Sequence, residues 1–353
     1  MGKRRITINR MPAITWHHLK INDRIVDFAT EGALVAPEVH CPDAYDIDTD
    51  YSDFKNIKGG AGIQFAELME GYDTVTYHVP EGTDEKEPIR IKYNLEDGEN
   101  TFNRLGMELG KNSKATLIID CLSDRNANGY AAFQCKGHLK ENSNLTLVQV
   151  CRLGDGYHCI HDLGLYLEEN AHVNIIQVVF SGNENDIGCN AVLHGDKSSL
   201  ESQIAYVAKE DHVVDLTYNV IQEGKQTDSK ITASGVLRDE SEKTFRGTID
   251  FKPGCSGSKG AEQENVLLMD DGVGNKTVPV ILCAEDDVEG EHGATIGKLD
   301  DDLIYYLETR GIPYENIYEM MAKSRLETVY RRIPCKETVE ELSEFTASES
   351  WNN

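Results

Sequence analysis

Positive charge is what the chain has least of: 35 Lys and Arg stand against 61 Asp and Glu, a formal net charge of −26 over 353 residues. Sequence-independent affinity for nucleic acid depends on Lys and Arg displacing condensed counterions, so this surface excludes a nucleic-acid-coating protein. It also disfavours an anionic membrane surface. Long apolar runs are missing too. No stretch approaches the roughly 18 residues of a membrane helix, and Met1-Gly2-Lys3-Arg4-Arg5 leads into polar residues rather than a signal-peptide core. The expectation is a cytoplasmic protein with no membrane and no nucleic-acid partner. The nine cysteines are odd in number and form no CxxC pair, a pattern that suits free thiols better than a disulfide framework. A hydrophobic fraction of 39% is low for a globular chain yet too high for general disorder, which implies a large and elongated folded core.

Motifs of ordinary catalysis are absent as well. There is no GxSxG and no HExxH. Gly272-Val273-Gly274-Asn275-Lys276-Thr277 has the look of a phosphate loop, but it lacks the glycine before the lysine and the strand-loop-helix context, so no nucleotide is expected here. Acidic pairs such as Glu168-Glu169 and Asp270-Asp271 are expected as solvated turns in so acidic a chain.

What is present is a repeat between about residues 80 and 250. Asn112-Ser113-Lys114-Ala115-Thr116-Leu117-Ile118-Ile119 is echoed by Asn142-Ser143-Asn144-Leu145-Thr146-Leu147-Val148-Gln149 and by Asn170-Ala171-His172-Val173-Asn174-Ile175-Ile176-Gln177, with a weaker copy at Lys197-Ser198-Ser199-Leu200. The starts lie 30, 28 and 27 residues apart. Each copy is a polar turn followed by a short strand alternating polar and apolar residues, and further short runs such as Gly129–Gln134 and Leu163–Leu167 lie between them. Strands with one apolar face cannot bury it alone; stacked rungs bury a continuous column. The repeat therefore predicts an all-β core, a right-handed parallel β-helix, ahead of a β-sandwich or an irregular α+β fold.

The ends differ. Residues 1–80 read as a mixed N-terminal segment with one short helix at 14–22, residues 81–298 as the solenoid, 299–345 as a helical segment, and 346–353 as a disordered tail. Asp300 or Asp301 is the expected N-cap of a helix with Leu303, Ile304 and Leu307 on one face, ending at Gly311 before Pro313. A second helix starts at Tyr314, with Ile317, Met320 and Met321, and a third runs from Glu337 through Val339, Leu342 and Phe345. Terminal helices are expected to cap the open ends of the column.

Two features bear on metal chemistry. Cys159 and His161 are two apart and share a face on a strand, with Cys151 and His158 close in sequence. No second pair at matching spacing completes four ligands, so these read as ordinary rung positions, and Cys121, Cys135 and Cys189 as small hydrophobes. The segment from Pro279 to Gly311 is the more distinctive one: Pro279-Val280-Ile281-Leu282-Cys283-Ala284, an acidic turn Glu285-Asp286-Asp287, then Glu289-Gly290-Glu291-His292-Gly293-Ala294-Thr295-Ile296-Gly297 and a helix Leu303–Ile312. With Phe245–Ile249 and Asn265–Asp271, this run resembles the carboxy-terminal signature of the SufB/SufD family of iron–sulfur cluster assembly proteins.

The resemblance implies a parallel β-helix with helical flanks and a non-catalytic scaffold role. It implies that the chain pairs through its β-helix with a SufB-type subunit or a second copy of itself, and that residues near 299–325 dock a SufC-type ABC ATPase. It also implies a transient iron–sulfur cluster at the subunit interface, held in part by His292. On their own chemistry Glu291 beside it and Cys283, if its side chain faces His292, join it as candidate metal ligands, against a reading of Cys283 as a small buried hydrophobe. SufB-type chains carry a cysteine on the strand before, near Glu264 and Asn265, where this chain has none. That absence and His292-Gly293-Ala294-Thr295 place it nearer SufD, while Glu291 looks like SufB. The chemistry is coherent, since imidazole and carboxylate hold cluster iron less tightly than thiolate and release it more readily. Two other readings compete: a polysaccharide lyase or hydrolase, which needs catalytic side chains aligned on successive rungs and a secretory signal, and a metal-free structural platform.

Overall fold

The computed structural model describes residues 2–348 apart from 16, 33, 34 and 181. Its body is a parallel β-solenoid of eight turns, each contributing one strand to each of two sheets, from Thr74–Val79 at one end to Val288–Gly297 at the other. The column begins before residue 80 and continues well past 250, so the repeat legible in the sequence is its central part. Each turn holds two long strands.

The spacing of the repeat is the register of the ladder. Asn144 pairs with Lys114 and with His172, and His172 with Ser199, so Leu117, Leu147 and Ile175 stand directly above one another. All three are fully buried. Each such side chain contributes about 1.5–3 kcal/mol through removal from water. The neighbouring positions Ile118, Val148 and Ile176 point to the other face, where they are also buried. Strands apolar on both faces are those that something else covers.

The repeated asparagines have a conformational role. Asn112, Asn142 and Asn170 adopt the left-handed region at φ 55°, 58° and 53°, which asparagine tolerates better than most residues with a Cβ. Their amides form a ladder, Asn142 Nδ2 donating to Asn112 Oδ1 at 3.1 Å and Asn170 Nδ2 to Asn142 Oδ1 at 2.8 Å. The following serines turn inward, Ser113 and Ser143 each donating to a carbonyl three residues back at 2.6 Å. Asn142→Val should therefore cost about 1–2 kcal/mol from backbone strain alone, whereas Asn142→Gly should cost less. Urea unfolding of the two variants measures the difference.

Both sheets are covered on their outer faces. An antiparallel pair, Lys3–Ile8 with Arg24–Ala29, and helix α1 (Ile63–Met69) pack Ile8, Phe28, Phe65 and Met69 against Phe102, Ala132 and Ile160 of one sheet. Within the expected helix at 14–22, the described residues form only a 3-10 turn at His17–Leu19, and Trp16 lies outside them. The other sheet is covered by α2 (Asp301–Thr309), α3 (Tyr314–Tyr330) and α4 (Lys336–Ser348). Asp300 caps α2, its carboxylate accepting from the backbone N–H of Asp302 and Leu303, and Gly311 follows its end at φ 84°. Ile317, Ala322, Leu326 and Val329 of α3 and Leu342 of α4 pack on Val148, Val178, Ala205 and Val236. Glu341 of α4 reaches Arg152, which is buried against Asp120. Thr346 to Ser348 are the last turn of α4 rather than part of a disordered tail; the residues after them lie outside the described set.

The helices thus lie along the flank of the column and do not cap it. A capping helix needs an apolar stripe facing the end; here the stripes of α3 and α4 match the apolar outer face of the sheet. The two ends differ accordingly. At the first, short antiparallel strands Glu38–His40 and Asp46–Asp48 pair with the outermost strands. At the last, Gly274–Cys283 and Val288–Gly297 terminate their sheets, with no further strand beside them among the described residues.

Candidate functional site

The uncovered end is where the sequence signature falls. Val288–Gly297 pairs along one side with Ser258–Leu268, His292 opposite Glu262 and Ala294 opposite Glu264. Every residue from Glu289 to Ile296 is exposed on this strand. Side chains alternate, and Gly290 fixes the phase: a Cβ there would lie 3.1 Å from Ile281 Cδ1 and 3.3 Å from Phe251 Cε2, inside the column. His292 shares that inward face. It is nonetheless exposed, because among the described residues no ninth turn covers it. Glu291 and Gly293 face the opposite way.

Cys283 ends the companion strand, in register with Phe251, and its exposed Sγ donates to the carbonyl of Glu285 at 3.1 Å. It has the same inward phase as Ile281. Beneath it the Cys255 thiol is pushed up by burial, with Glu285 and Cys283 adding. Cys283 and His292 thus stand on the two strands of the last turn, in different sheets, and not on adjacent strands of one sheet. Among the described residues, His292, Glu291 and Cys283 form no group of three ligand atoms within 4.8 Å of one another.

Below His292 lies a set of charged groups that the sequence did not flag. Glu262 is buried, and burial, helped by neighbouring Glu264, pushes its carboxyl up to about 7. Its carboxylate occupies the space over Gly247, where a Cβ would lie 2.1 Å from Glu262 Oε2. Glu264 is fully buried and saturated: Lys243 Nζ forms an ion pair with it, Tyr206 Oη donates at 2.9 Å, and Thr277 Oγ1 donates at 2.6 Å. Lys243 is itself buried, which holds its ammonium pKa below the usual value despite Glu264. Glu264 is one of the two positions, with Asn265, near which the resemblance places a cysteine in SufB-type chains. A carboxylate closed off by three donors cannot take that cysteine's place as an exposed ligand without rearrangement. The signal available in the sequence was the alternation Gly260, Glu262, Glu264, Val266, two acids in an inward phase; without the ladder the phase is not assigned.

Cys159 and His161 both point into the column, and Cys151 of the preceding strand joins them, so that the three ligand atoms lie within 4.8 Å of one another. Cys151 is drawn down to about 6, chiefly by a hydrogen bond from Cys159 and against burial, while the Cys159 thiol is pushed well up by burial. His158 points outward to Glu184 and Asp186, and there Arg24 of the N-terminal pair occupies the carboxylates, with Nε 2.6 Å from Asp186 Oδ1. That second group is an ion-pair network holding the N-terminal strands to the column. The phosphate-loop look-alike opens a strand, Gly274–Cys283, rather than a helix. All nine cysteines are free.

The fold is thus a long two-sheet parallel solenoid that, among the described residues, leaves one end bare and carries an exposed histidine on the last strand there. The chain belongs to the SufBD family: residues 93–324, about two thirds of it, match the family described as SUF system FeS cluster assembly, SufBD core domain. It is similar to the iron–sulfur cluster assembly protein SufD of Bacillus subtilis, at 27% identity over 150 residues, which is 42% of this chain and 34% of that protein. A SufBD family protein of Trieres chinensis is 26% identical over 183 residues, 51% of this chain and 38% of its own length. A chloroplastic SufBD family protein of Arabidopsis thaliana is 26% identical over 145 residues, 41% and 26% respectively. The matches thus span a quarter to two fifths of these relatives. No described helix is long and apolar enough to cross a membrane.

Proposed function

We propose that the chain is a non-catalytic, SufD-like scaffold subunit of the SUF iron–sulfur cluster assembly machinery. The observation that carries this reading is the bare end: two sheet edges with unpaired backbone groups and His292 exposed on an inward-facing position. Natural sheets rarely leave such an edge open unless it pairs with something. A second β-solenoid, of SufB type or a copy of this chain, supplies the missing strands. The nascent cluster is the cargo of that interface. His292 and Cys283 approach it from the inward face of the last turn and Glu291 from the outer face, so the partner completes what one chain does not assemble.

The ATPase-docking surface is assigned to α2 and the start of α3. Ile304 and Ile317 are buried against the column, but Tyr305, Tyr306, Tyr314 and Met320 are exposed at 70%, 53%, 47% and 43%. Aromatic residues and methionine in such a patch suit a protein interface. Anaerobic co-expression with a SufC-type ATPase and a SufB-type subunit tests both halves. Tyr305→Glu with Tyr306→Glu is expected to lose the ATPase and keep the scaffold partner, whereas Ala294→Glu is expected to do the reverse. His292→Ala should keep both and lower the iron and sulfide content of the complex. Partner binding and cluster content unchanged in all three would refute the reading.

A further inference from the structure

The interior of the column is lined mostly by Leu, Ile, Val and aromatic side chains; besides the charged set of Lys243, Glu262 and Glu264 near the bare end, the turn of Cys151 and Cys159 departs from this. There Cys151, Cys159 and His161, exposed at 1%, 0% and 1%, converge on a common point. The imidazole of His161 stacks on Phe133 with ring centroids 5.3 Å apart and 17° between planes. Neither of its nitrogens is satisfied by a nitrogen or oxygen partner, and the contact it has is with the Cys151 sulfur, a weak acceptor. A buried imidazole has a donor or a lone pair at each nitrogen, and leaving these unmet costs about 1–3 kcal/mol per group relative to water. Core packing alone is a poor reason for placing a histidine here; phenylalanine stacks on Phe133 equally well without that cost.

We propose that this turn holds a single thiophilic divalent cation, of the zinc type, inside the solenoid. The donor set fits that chemistry. Two cysteine sulfurs and one imidazole nitrogen are the ligands such ions favour, and three protein donors within 4.8 Å of one another suit a tetrahedral centre with one further position. Asn185, in register with Cys159 on the next turn, brings its Oδ1 to 3.3 Å from Cys151 Sγ and offers a neutral oxygen for that position. Charge supports the same assignment. Two thiolates, a neutral imidazole and a divalent cation sum to zero, so the filled site buries no net charge, whereas either thiolate alone does. Binding releases the thiol protons to solvent, with no change in oxidation state. Because all three ligands are enclosed, the ion enters as the turns stack and then acts as a staple between the strands Asn144–Arg152 and Gly156–Leu167. This site is separate from the bare end and its cargo.

The test uses the full chain, purified anaerobically from zinc-supplemented culture and also refolded with Co2+. The expected result is one zinc per chain that resists chelator in the folded state. Refolding with Co2+ should yield one Co2+ per chain, with thiolate charge-transfer absorption and tetrahedral d–d bands. Cys159→Ala and His161→Phe should each lower metal affinity at least tenfold, while Cys283→Ala and His292→Ala should leave it unchanged. The wild-type stoichiometry does not depend on any variant folding. A wild-type chain that refolds without bound Co2+ and carries no zinc from culture would overturn the proposal. So would equal metal loss in Cys283→Ala, or an intact mass two hydrogens low from a Cys151–Cys159 disulfide.

Discussion

Lys243→Met is expected to cost the fold about 3–5 kcal/mol. Lys243 and Glu264 have side-chain exposures of 0% and 1%, so their ion pair has no water to replace a lost partner. Methionine fits the apolar stem of Lys243 beside Phe245 but leaves Glu264 with only Tyr206 and Thr277 as donors. An uncompensated carboxylate in that position either remains charged at high cost or takes up a proton. The double variant Lys243→Met with Glu264→Gln separates the two causes. Glutamine removes the charge and keeps one oxygen to accept from Tyr206, while its amide NH2 faces the Thr277 hydroxyl, which accepts instead of donating, so most of the lost stability should return. Urea unfolding at pH 7.5 measures both. A single variant as stable as the wild type, or a double variant no better than the single, would show that charge pairing is not what holds this turn.

The column was readable because its physical cause is periodic. Asn112, Asn142 and Asn170 recur at the spacing that the backbone needs for one turn, and a ladder in parallel register demands that the same position carry the same conformation on every turn. The helices were readable for a related reason, since caps such as Asp300 and apolar spacing are local signals. Where the helices lie was not. The stripe of Ile317, Ala322 and Leu326 says that α3 packs on something apolar, and only the outer positions Val148, Val178 and Val236 on separate turns show that this is the flank and not the end. The bare end follows from that difference. Likewise Cys151 and His161 are ten residues apart with a turn between them, and their meeting depends on strand phase on both sides of it. Glu262 and Glu264 were hidden by composition: in a chain with 61 acidic residues, two more carry no signal until the ladder shows which way they point.

Glu262→Gln is expected to remove the pH dependence that this end of the column imposes on stability. The Glu262 carboxyl titrates near 4.5 in the unfolded chain and is pushed up to about 7 in the fold, first by burial and then by the charge of Glu264. The folded state therefore binds more protons than the unfolded state between those values, and stability falls as pH rises through that window. Below about pH 4.5 both states are protonated and the group contributes no penalty. Above about pH 7 the full penalty applies, and a shift of this size corresponds to about 3 kcal/mol. Glutamine retains shape and polarity but never ionises. The variant should match the wild type near pH 4.5 and exceed it by about 3 kcal/mol at pH 8, as read from urea midpoints across a pH series at chain concentrations too low for self-association. Parallel curves for the two proteins over that range would mean that Glu262 is not the buried acid the geometry makes it. If the curves diverge as expected, the turn beneath His292 stores an electrostatic cost at neutral pH, and a cation brought to the bare end would relieve it.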